Sequence, residues 1–327
     1  MEKALAFIDL LGFSQMVSKD YDRATKVLDH FYNIAYDVIK SEPTIEGTLF
    51  SDSLVAYSTD RSLLLNKISE IYRQCLRKNK TYAKKNLDKF FLLPRGGISV
   101  GVVNIQERME APNLRKGFIV SPALVHSAKL EQTIKGSRLL VAVNRNNNEE
   151  IDFAWNGNVE AVLYEDNGYK FWDMYTYKDA LWFANLSKQP ADQKREINEL
   201  LEIAIDLVKA NALNENALSQ HIGTLRIGLL SFSRFFDATA SCDLLTRLID
   251  EFSEDKYWLV WVTIFEMAMQ SRDNWAVPAR QDLIAFYRQI CLSNGWKNVL
   301  DYLNNPTGEY AKQLIFQFIE EININTV

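Results

Sequence analysis

The sequence is poor in the residues that build disulfide frameworks and most transition-metal sites. It has three cysteines and three histidines in 327 residues. Cys75, Cys242 and Cys291 are widely separated, and their spacing fits neither a disulfide framework nor a cysteine-based metal knuckle. We therefore expect ordinary thiols in a reducing compartment.

A strong charge of one sign and long apolar runs are also missing. The net charge is -5 with acidic and basic residues mixed along the chain, so the charge pattern does not favour nucleic-acid binding. No stretch approaches the roughly 20 apolar residues that span a bilayer. The apolar run at residues 4–8 lacks a basic region before it and ends at Asp9, which argues against a signal peptide. These absences predict a cytoplasmic protein with no membrane or nucleic-acid partner.

What is present is the composition of a globular protein, with 47% apolar and 24% charged residues and a length that suits two domains. The first half alternates strand and helix patterns, and the second is almost wholly helical. Strands are predicted at 4–10, in a hairpin over 48–57, and at 92–103, 139–143 and 159–177; helices at 22–39, 63–84, 121–134, 217–236, 243–271, 281–292 and 310–322. We therefore expect an α+β domain over residues 1–186, followed by an all-α domain of unassigned role over 187–327.

Two aspartates stand at the ends of predicted strands. Asp9 ends a buried apolar strand, where a carboxylate is costly unless something neutralises it, and Asp52 lies in the turn of the hairpin. Two carboxylates with water and phosphate oxygens form a common site for Mg²⁺ or Mn²⁺. Gly12 leaves room for a ligand phosphate near the backbone. Each aspartate alone also has an ordinary explanation, because Asp9 could cap a helix and Asp52 could stabilise a turn.

Four segments in order favour the functional explanation. They read F-I-D-L-L-G-F at 7–13, S-D-S-L-V-A at 51–56, R-G-G-I-S-V-G at 95–101 and S-P-A-L-V-H-S-A-K-L-E at 121–131. Their order and spacing, over roughly the first 145 residues, resemble those of class III nucleotidyl cyclases. The resemblance implies a ferredoxin-like core sheet flanked by helices.

The resemblance also implies a reaction and a set of site residues. The reaction is cyclisation of a nucleoside triphosphate to its 3′,5′-cyclic monophosphate with release of pyrophosphate. Two Mg²⁺ or Mn²⁺ ions per site would be held by Asp9, Asp52 and the backbone carbonyl of Leu10, with Gly12 and Phe13 as nucleotide contacts. Because the family's sites lie between two cyclase domains, one such domain per chain implies a homodimer.

The chain departs from the family at the helix that stabilises the transition state. The family's asparagine and arginine correspond here to Val125 and Lys129. Lysine keeps the charge but offers a point contact in place of a planar fork. Lys129 and Arg95 are our candidates for the catalytic cation, and spacing does not exclude three further basic residues: Arg115, Lys116 and Lys170.

The positions that select the base depart as well. Thr48 and Phe118 stand where the family has its purine-reading residues, and Thr48 with the aromatic Phe50 suits a smaller base read through a hydroxyl or water. This pattern resembles the pyrimidine cyclases of Pycsar anti-phage systems. That resemblance implies UTP or CTP as substrate and a cyclic UMP or cyclic CMP messenger that acts on a separate effector protein.

Two alternatives remain open from the sequence. One is a purine cyclase with an unusual pocket. The other is a degenerate cyclase fold that binds a nucleotide as a sensor while the helical half recruits a partner. Val125 and Lys129 favour the sensor, whereas retention of both Asp9 and Asp52 argues against it.

Overall fold

The computed structural model describes residues 2–82, 90–107, 117–133, 135–145, 163–171, 175–270 and 280–304, with the single positions 316 and 320. The strands are β1 (Glu2–Leu10), β2 (Ile45–Phe50), β3 (Ser53–Ser58), β4 (Pro94–Val102), β5 (Asn104–Glu107), β6 (Gly117–Val120), β7 (Leu139–Arg145), β8 (Leu163–Phe171) and β9 (Tyr175–Ala180). The helices are α1 (Phe13–Lys19), α2 (Tyr21–Ile39), α3 (Arg61–Lys78), α4 (Pro122–Thr133), α5 (Pro190–Ala210), α6 (Glu215–Phe235), α7 (Ala238–Glu251), α8 (Trp258–Gln270), α9 (Arg280–Ile290) and α10 (Gly295–Asn304).

Seven strands form one sheet in the order β2-β3-β1-β4-β7-β9-β8. β1 pairs antiparallel with both β3 and β4, and β2 pairs antiparallel with β3. The order β2-β3-β1-β4, with helices between β1 and β2 and between β3 and β4, is the ferredoxin-like arrangement. The predicted α+β class and core sheet are therefore confirmed, and the predicted hairpin is formed by β2 and β3.

Local sequence explains why α2 and α3 form where they do. The Asp20 and Asp60 side chains cap them by accepting hydrogen bonds from the backbone N–H groups of Arg23 and Leu63. One apolar face of each helix is buried in the core that includes the sheet residues Ala6 and Ile8. On α2 the buried residues are Ala24, Val27, Phe31, Ala35 and Val38.

Every element described after residue 189 is helical. The single helix predicted over 243–271 is wrong, because α7 and α8 are separated by a short 3-10 helix at Asp255–Tyr257. The indole N–H of Trp261 donates to the carbonyl of Phe252 at 2.6 Å, and the Phe252 ring packs edge-on against Tyr257. This buried aromatic cluster forms only if the chain turns after α7. The helix predicted at 310–322 lies outside the described residues apart from 316 and 320.

The boundary between residues 186 and 187 stays a prediction. In the part of the chain that the structure describes, no helix is both long and apolar enough to cross a lipid bilayer.

Asn79 joins the end of α3 to the chain segment that leads into β4. Its side-chain amide donates to the carbonyls of Cys75, Leu76 and Leu92 at 3.0–3.2 Å and accepts from the backbone N–H of Leu92 at 2.8 Å. Asn79→Ala leaves these buried groups without that partner. We expect it to lower the free energy of unfolding by about 3 kcal/mol.

Urea denaturation measures this loss. Asn33→Ala, which changes an exposed asparagine of α2, is the matched control and should stay within about 0.5 kcal/mol of the wild type. A loss below about 1 kcal/mol for Asn79→Ala would show that the junction does not depend on this side chain.

Candidate functional site

The sheet brings the two predicted metal ligands to one end of β1. Asp9 lies on β1 opposite Ser53 of β3 and Arg95 of β4. Asp52 lies in the turn between β2 and β3, where its backbone carbonyl accepts a hydrogen bond from the N–H of Leu10 at 3.1 Å. The hairpin therefore holds Asp52 beside the strand end that carries Asp9.

The electrostatics of Asp9 are those of a carboxylate that lacks a full counter-charge. Burial raises its pKa, and the negative charge of Asp52 raises it further. The Ser53 hydroxyl donates to Asp9 Oδ1 at 2.9 Å, and this bond and the charge of Arg95 act in the opposite direction. Because burial and repulsion outweigh the opposing effects, the pKa of Asp9 is raised overall. A cation between the two carboxylates would offset both the cost of burying their charge and their mutual repulsion.

The donor set fits a hard divalent cation. Among the described residues there is no cluster of three or more histidine, cysteine or acidic side chains that could enclose a metal ion. The chain would thus supply Asp9, Asp52 and the carbonyl of Leu10, leaving other positions to water and phosphate oxygens. Mg²⁺ and Mn²⁺ accept such incomplete oxygen sets, whereas a structural zinc site needs four protein ligands.

Arg95 is held beside this pair by a partner that the sequence did not reveal. Its guanidinium Nε contacts Glu131 Oε1, and the Glu131 side chain is 6% exposed. Burial raises the pKa of Glu131, Arg95 lowers it, and the charges of Asp9 and Asp52 raise it. Arg95 is therefore anchored from α4, and its charge is already partly balanced.

Both carboxylates line a cleft of about 390 Å³, within the range of small-molecule sites. Its walls come from the β1–α1 connection and from the start of α6 in the helical half. The lining residues include Leu10, Leu11, Gly12, Phe13, Lys19, Phe91, Arg95, Lys135, Asn214, Asn216, Ser219 and Gln220. The contribution of α6 was not predicted, because no motif near residues 214–220 signals it.

Gly12 turns the chain from β1 into α1. Its φ of 70° lies in the left-handed region, which favours glycine. Its carbonyl accepts the first helical hydrogen bond of α1, from the N–H of Met16. Gly12 and Phe13, which the sequence predicts as nucleotide contacts, thus lie in the same cleft as Asp9 and Asp52.

Three predicted residues whose side chains the structure describes, Thr48, Phe50 and Lys129, do not line this cleft. Thr48 and Phe50 lie on the edge strand β2, where both are exposed, Phe50 by 77%. Lys129 is half-buried on α4, on which Val125 is also half-exposed. Phe118 is on β6, and its side chain is outside the described part. Within the described part of a single chain, Asp9 and Asp52 therefore share the cleft with Arg95, but not with Thr48, Phe50 or Lys129.

No protein-family model and no curated protein matches the chain. Solved structures do. A bacterial light-regulated adenylyl cyclase is 14% identical, with 61% of this chain and 97% of that chain covered and a TM-score of 0.41. An adenylate cyclase from Trypanosoma brucei is 11% identical, with coverages of 55% and 90% and a TM-score of 0.43. The dimeric guanylyl cyclase domain of the RhoGC fusion protein from Blastocladiella emersonii is 12% identical, with coverages of 54% and 95% and a TM-score of 0.39. These likenesses concern the fold alone.

Proposed function

We propose that the protein is a nucleotidyl cyclase that converts a nucleoside triphosphate to its 3′,5′-cyclic monophosphate and pyrophosphate. The observation that carries this proposal is the meeting of Asp9 and Asp52 at the end of β1, in a cleft of about 390 Å³. Burial and the repulsion from Asp52 raise the pKa of Asp9, as expected of carboxylates that receive cations.

In this reaction the ribose 3′-oxygen attacks the α-phosphorus in line, and pyrophosphate leaves. Asp9, Asp52 and the Leu10 carbonyl would hold two Mg²⁺ or Mn²⁺ ions. Such ions lower the pKa of the attacking hydroxyl and neutralise charge on the phosphates. Arg95, fixed by Glu131, presents a guanidinium to the developing negative charge beside them. The protein's main contribution is positioning within a partly closed cleft.

A homodimer completes the site in this proposal. Thr48, Phe50 and Lys129 lie outside the cleft of their own chain, so they can serve catalysis only in a cleft shared with a second copy. The partner would then bring base-reading and transition-state groups to Asp9 and Asp52. This arrangement is supported by the exposure of Phe50 and Val125 on the first domain.

The substrate in this proposal is UTP or CTP, and the cyclic product is a messenger for a separate effector protein in anti-phage defence. Support comes from Thr48 and Phe118, which stand where purine-reading residues are expected. A second candidate is a nucleotide sensor without turnover, favoured by Val125, which is half-exposed and cannot orient a ribose. Nucleotide binding without product would decide for the sensor.

Product identification tests the proposal. The purified protein is incubated with ATP, GTP, UTP and CTP and Mn²⁺, and cyclic nucleotides are identified by mass spectrometry. We expect cyclic UMP or cyclic CMP, and a loss of at least about 100-fold in rate for Asp52→Asn, since one ligand of both cations is weakened.

Asp206→Asn, an exposed position of α5, is the matched control and should keep full activity. Absence of cyclic product from all four substrates, or full activity of Asp52→Asn, would refute the proposal. Product from ATP or GTP alone would shift the assignment to a purine cyclase.

A further inference from the structure

The helical half is fastened to the catalytic cleft through the turn between α4 and β7. The backbone N–H of Gly136 donates to Gln220 Oε1 at 2.7 Å, and that of Ser137 donates to Thr224 Oγ1 at 2.9 Å. Both acceptors belong to α6. The turn is therefore bound to one face of this helix by two hydrogen bonds from its main chain.

Gly136 and Gly223 allow the two backbones to approach. Gly136 has a φ of 84°, and a Cβ on Gly223 would lie 2.4 Å from the carbonyl oxygen of Lys135. No side chain larger than hydrogen fits between the turn and the helix at this point. The position of Lys135 is consequently set by α6, although Lys135 belongs to the first domain.

Lys135 lines the cleft with Asp9, Asp52 and the α6 side chains Asn216 and Gln220. Its ammonium group is exposed, and within the described ranges no carboxylate is paired with it. Arg95, by contrast, already contacts Glu131. Lys135 thus brings to the cleft a positive charge with which no described carboxylate forms an ion pair.

The balance of charges in the cleft indicates which group of a ligand the Lys135 ammonium would bind. A nucleoside triphosphate carries about four negative charges, which two divalent cations offset. Asp9 and Asp52 then leave the loaded site negative, since Glu131 already offsets part of the charge of Arg95. Lys135 and the exposed Lys19, which also lines the cleft, supply the missing positive charge.

We propose that Lys135, positioned by α6, binds the terminal phosphates of the nucleoside triphosphate and the pyrophosphate product, so that the helical domain is part of the substrate site. This inference rests on the proposed function for the identity of the nucleotide. Lysine binds phosphate as a mobile point charge, which suits terminal phosphates that must leave as pyrophosphate after the reaction. Asn216 and Gln220 add amide groups to the same wall.

Equilibrium binding of inorganic tripolyphosphate with Mg²⁺ tests the inference without requiring turnover. Titration calorimetry on the full chain compares the wild type with Lys135→Ala, Lys135→Arg and the control Lys26→Ala, an exposed lysine of α2 away from the cleft. We expect about tenfold weaker binding for Lys135→Ala, near wild-type binding for Lys135→Arg, and no change for Lys26→Ala. Equal binding by Lys135→Ala and the wild type, or no binding by the wild type, would overturn the inference.

Thr224→Val tests the positioning by α6, because Thr224 is buried and does not line the cleft. Removing the acceptor for the Ser137 N–H should weaken tripolyphosphate binding about threefold while the melting temperature shows that the variant is folded. Wild-type affinity in this variant would overturn the role of α6. The two proposals fail separately: Lys135-dependent binding with no cyclic product refutes only the cyclase, and product formation with Lys135-independent binding refutes only this inference.

Discussion

Asp9→Asn is expected to slow the proposed nucleotide cyclisation strongly and, at the same time, to raise the melting temperature of the protein when divalent metal is removed. Asparagine can still accept the hydrogen bond from Ser53, but it carries no charge to repel Asp52. Relief of the buried charge should stabilise the metal-free fold by about 1 kcal/mol, or about 2 °C in a chain of this size. Weakened cation binding should lower the rate at least about 100-fold.

The raised pKa of Asp9 determines how the stability difference between the wild type and Asp9→Asn depends on pH. As the pH falls through that pKa toward its usual value of 3.8, the folded wild type takes up a proton that the unfolded chain does not. Its stability relative to Asp9→Asn therefore recovers with falling pH in that window. At pH values above this window, Asp9 is ionised and the wild type carries the full free-energy cost of the buried charge.

Thermal unfolding measures both effects, with EDTA and then with millimolar Mn²⁺. Mn²⁺ should raise the melting temperature of the wild type and of the control Asp206→Asn, but hardly that of Asp9→Asn. A lower melting temperature of Asp9→Asn than of the wild type in EDTA would contradict a strained carboxylate pair.

Asp179→Ala is expected to cost about 3–5 kcal/mol of folding free energy, the largest loss of stability that we predict. Asp179 on β9 is fully buried, and its carboxylate accepts from Arg138 Nε at 2.9 Å and Nη2 at 2.5 Å. Arg226 of α6 lies 3.7 Å from the same carboxylate and is also paired with Glu266 at 3.1 Å. Without Asp179, two largely buried guanidinium groups lose the carboxylate that lies against both of them.

Urea denaturation checks this prediction. Asp179→Asn keeps hydrogen-bond acceptors and should lose about half as much stability as Asp179→Ala, whereas Asp250→Ala, at an exposed position of α7, should stay within about 0.5 kcal/mol of the wild type. If Asp179→Ala loses less than about 1 kcal/mol, the charges must be satisfied by other groups.

Much of the first domain could be predicted from local sequence. A short apolar run predicts β1, and two short strands around the turn at 51–53 predict the β2–β3 hairpin. The apolar spacing on α2 predicts a helix with one buried face. Asp9 and Asp52 follow from the same patterns, because each ends a predicted strand. The all-helical character of the second half is likewise encoded in its periodicity.

The long-range features could not be predicted in this way. The ion pair of Arg95 with Glu131 joins β4 to α4, and Asp179 meets Arg226 across the boundary between sheet and helices. The break between α7 and α8 depends on an aromatic cluster that only the packed chain assembles. None of these long-range contacts produces a periodic pattern of residues in the sequence.

The sequence by itself determined the first strand, the hairpin and the positions of Asp9 and Asp52 at their ends, because strand propensity and turn chemistry act over a few residues. Only the tertiary structure decided that α6 forms a wall of the cleft and that Thr48, Phe50 and Lys129 lie outside it. These placements depend on how the helices dock against the sheet, which the contact of Gly136 with Gly223 fixes at one point. How the helices dock depends on close packing between surfaces that are far apart in the sequence, and no local sequence pattern encodes that fit.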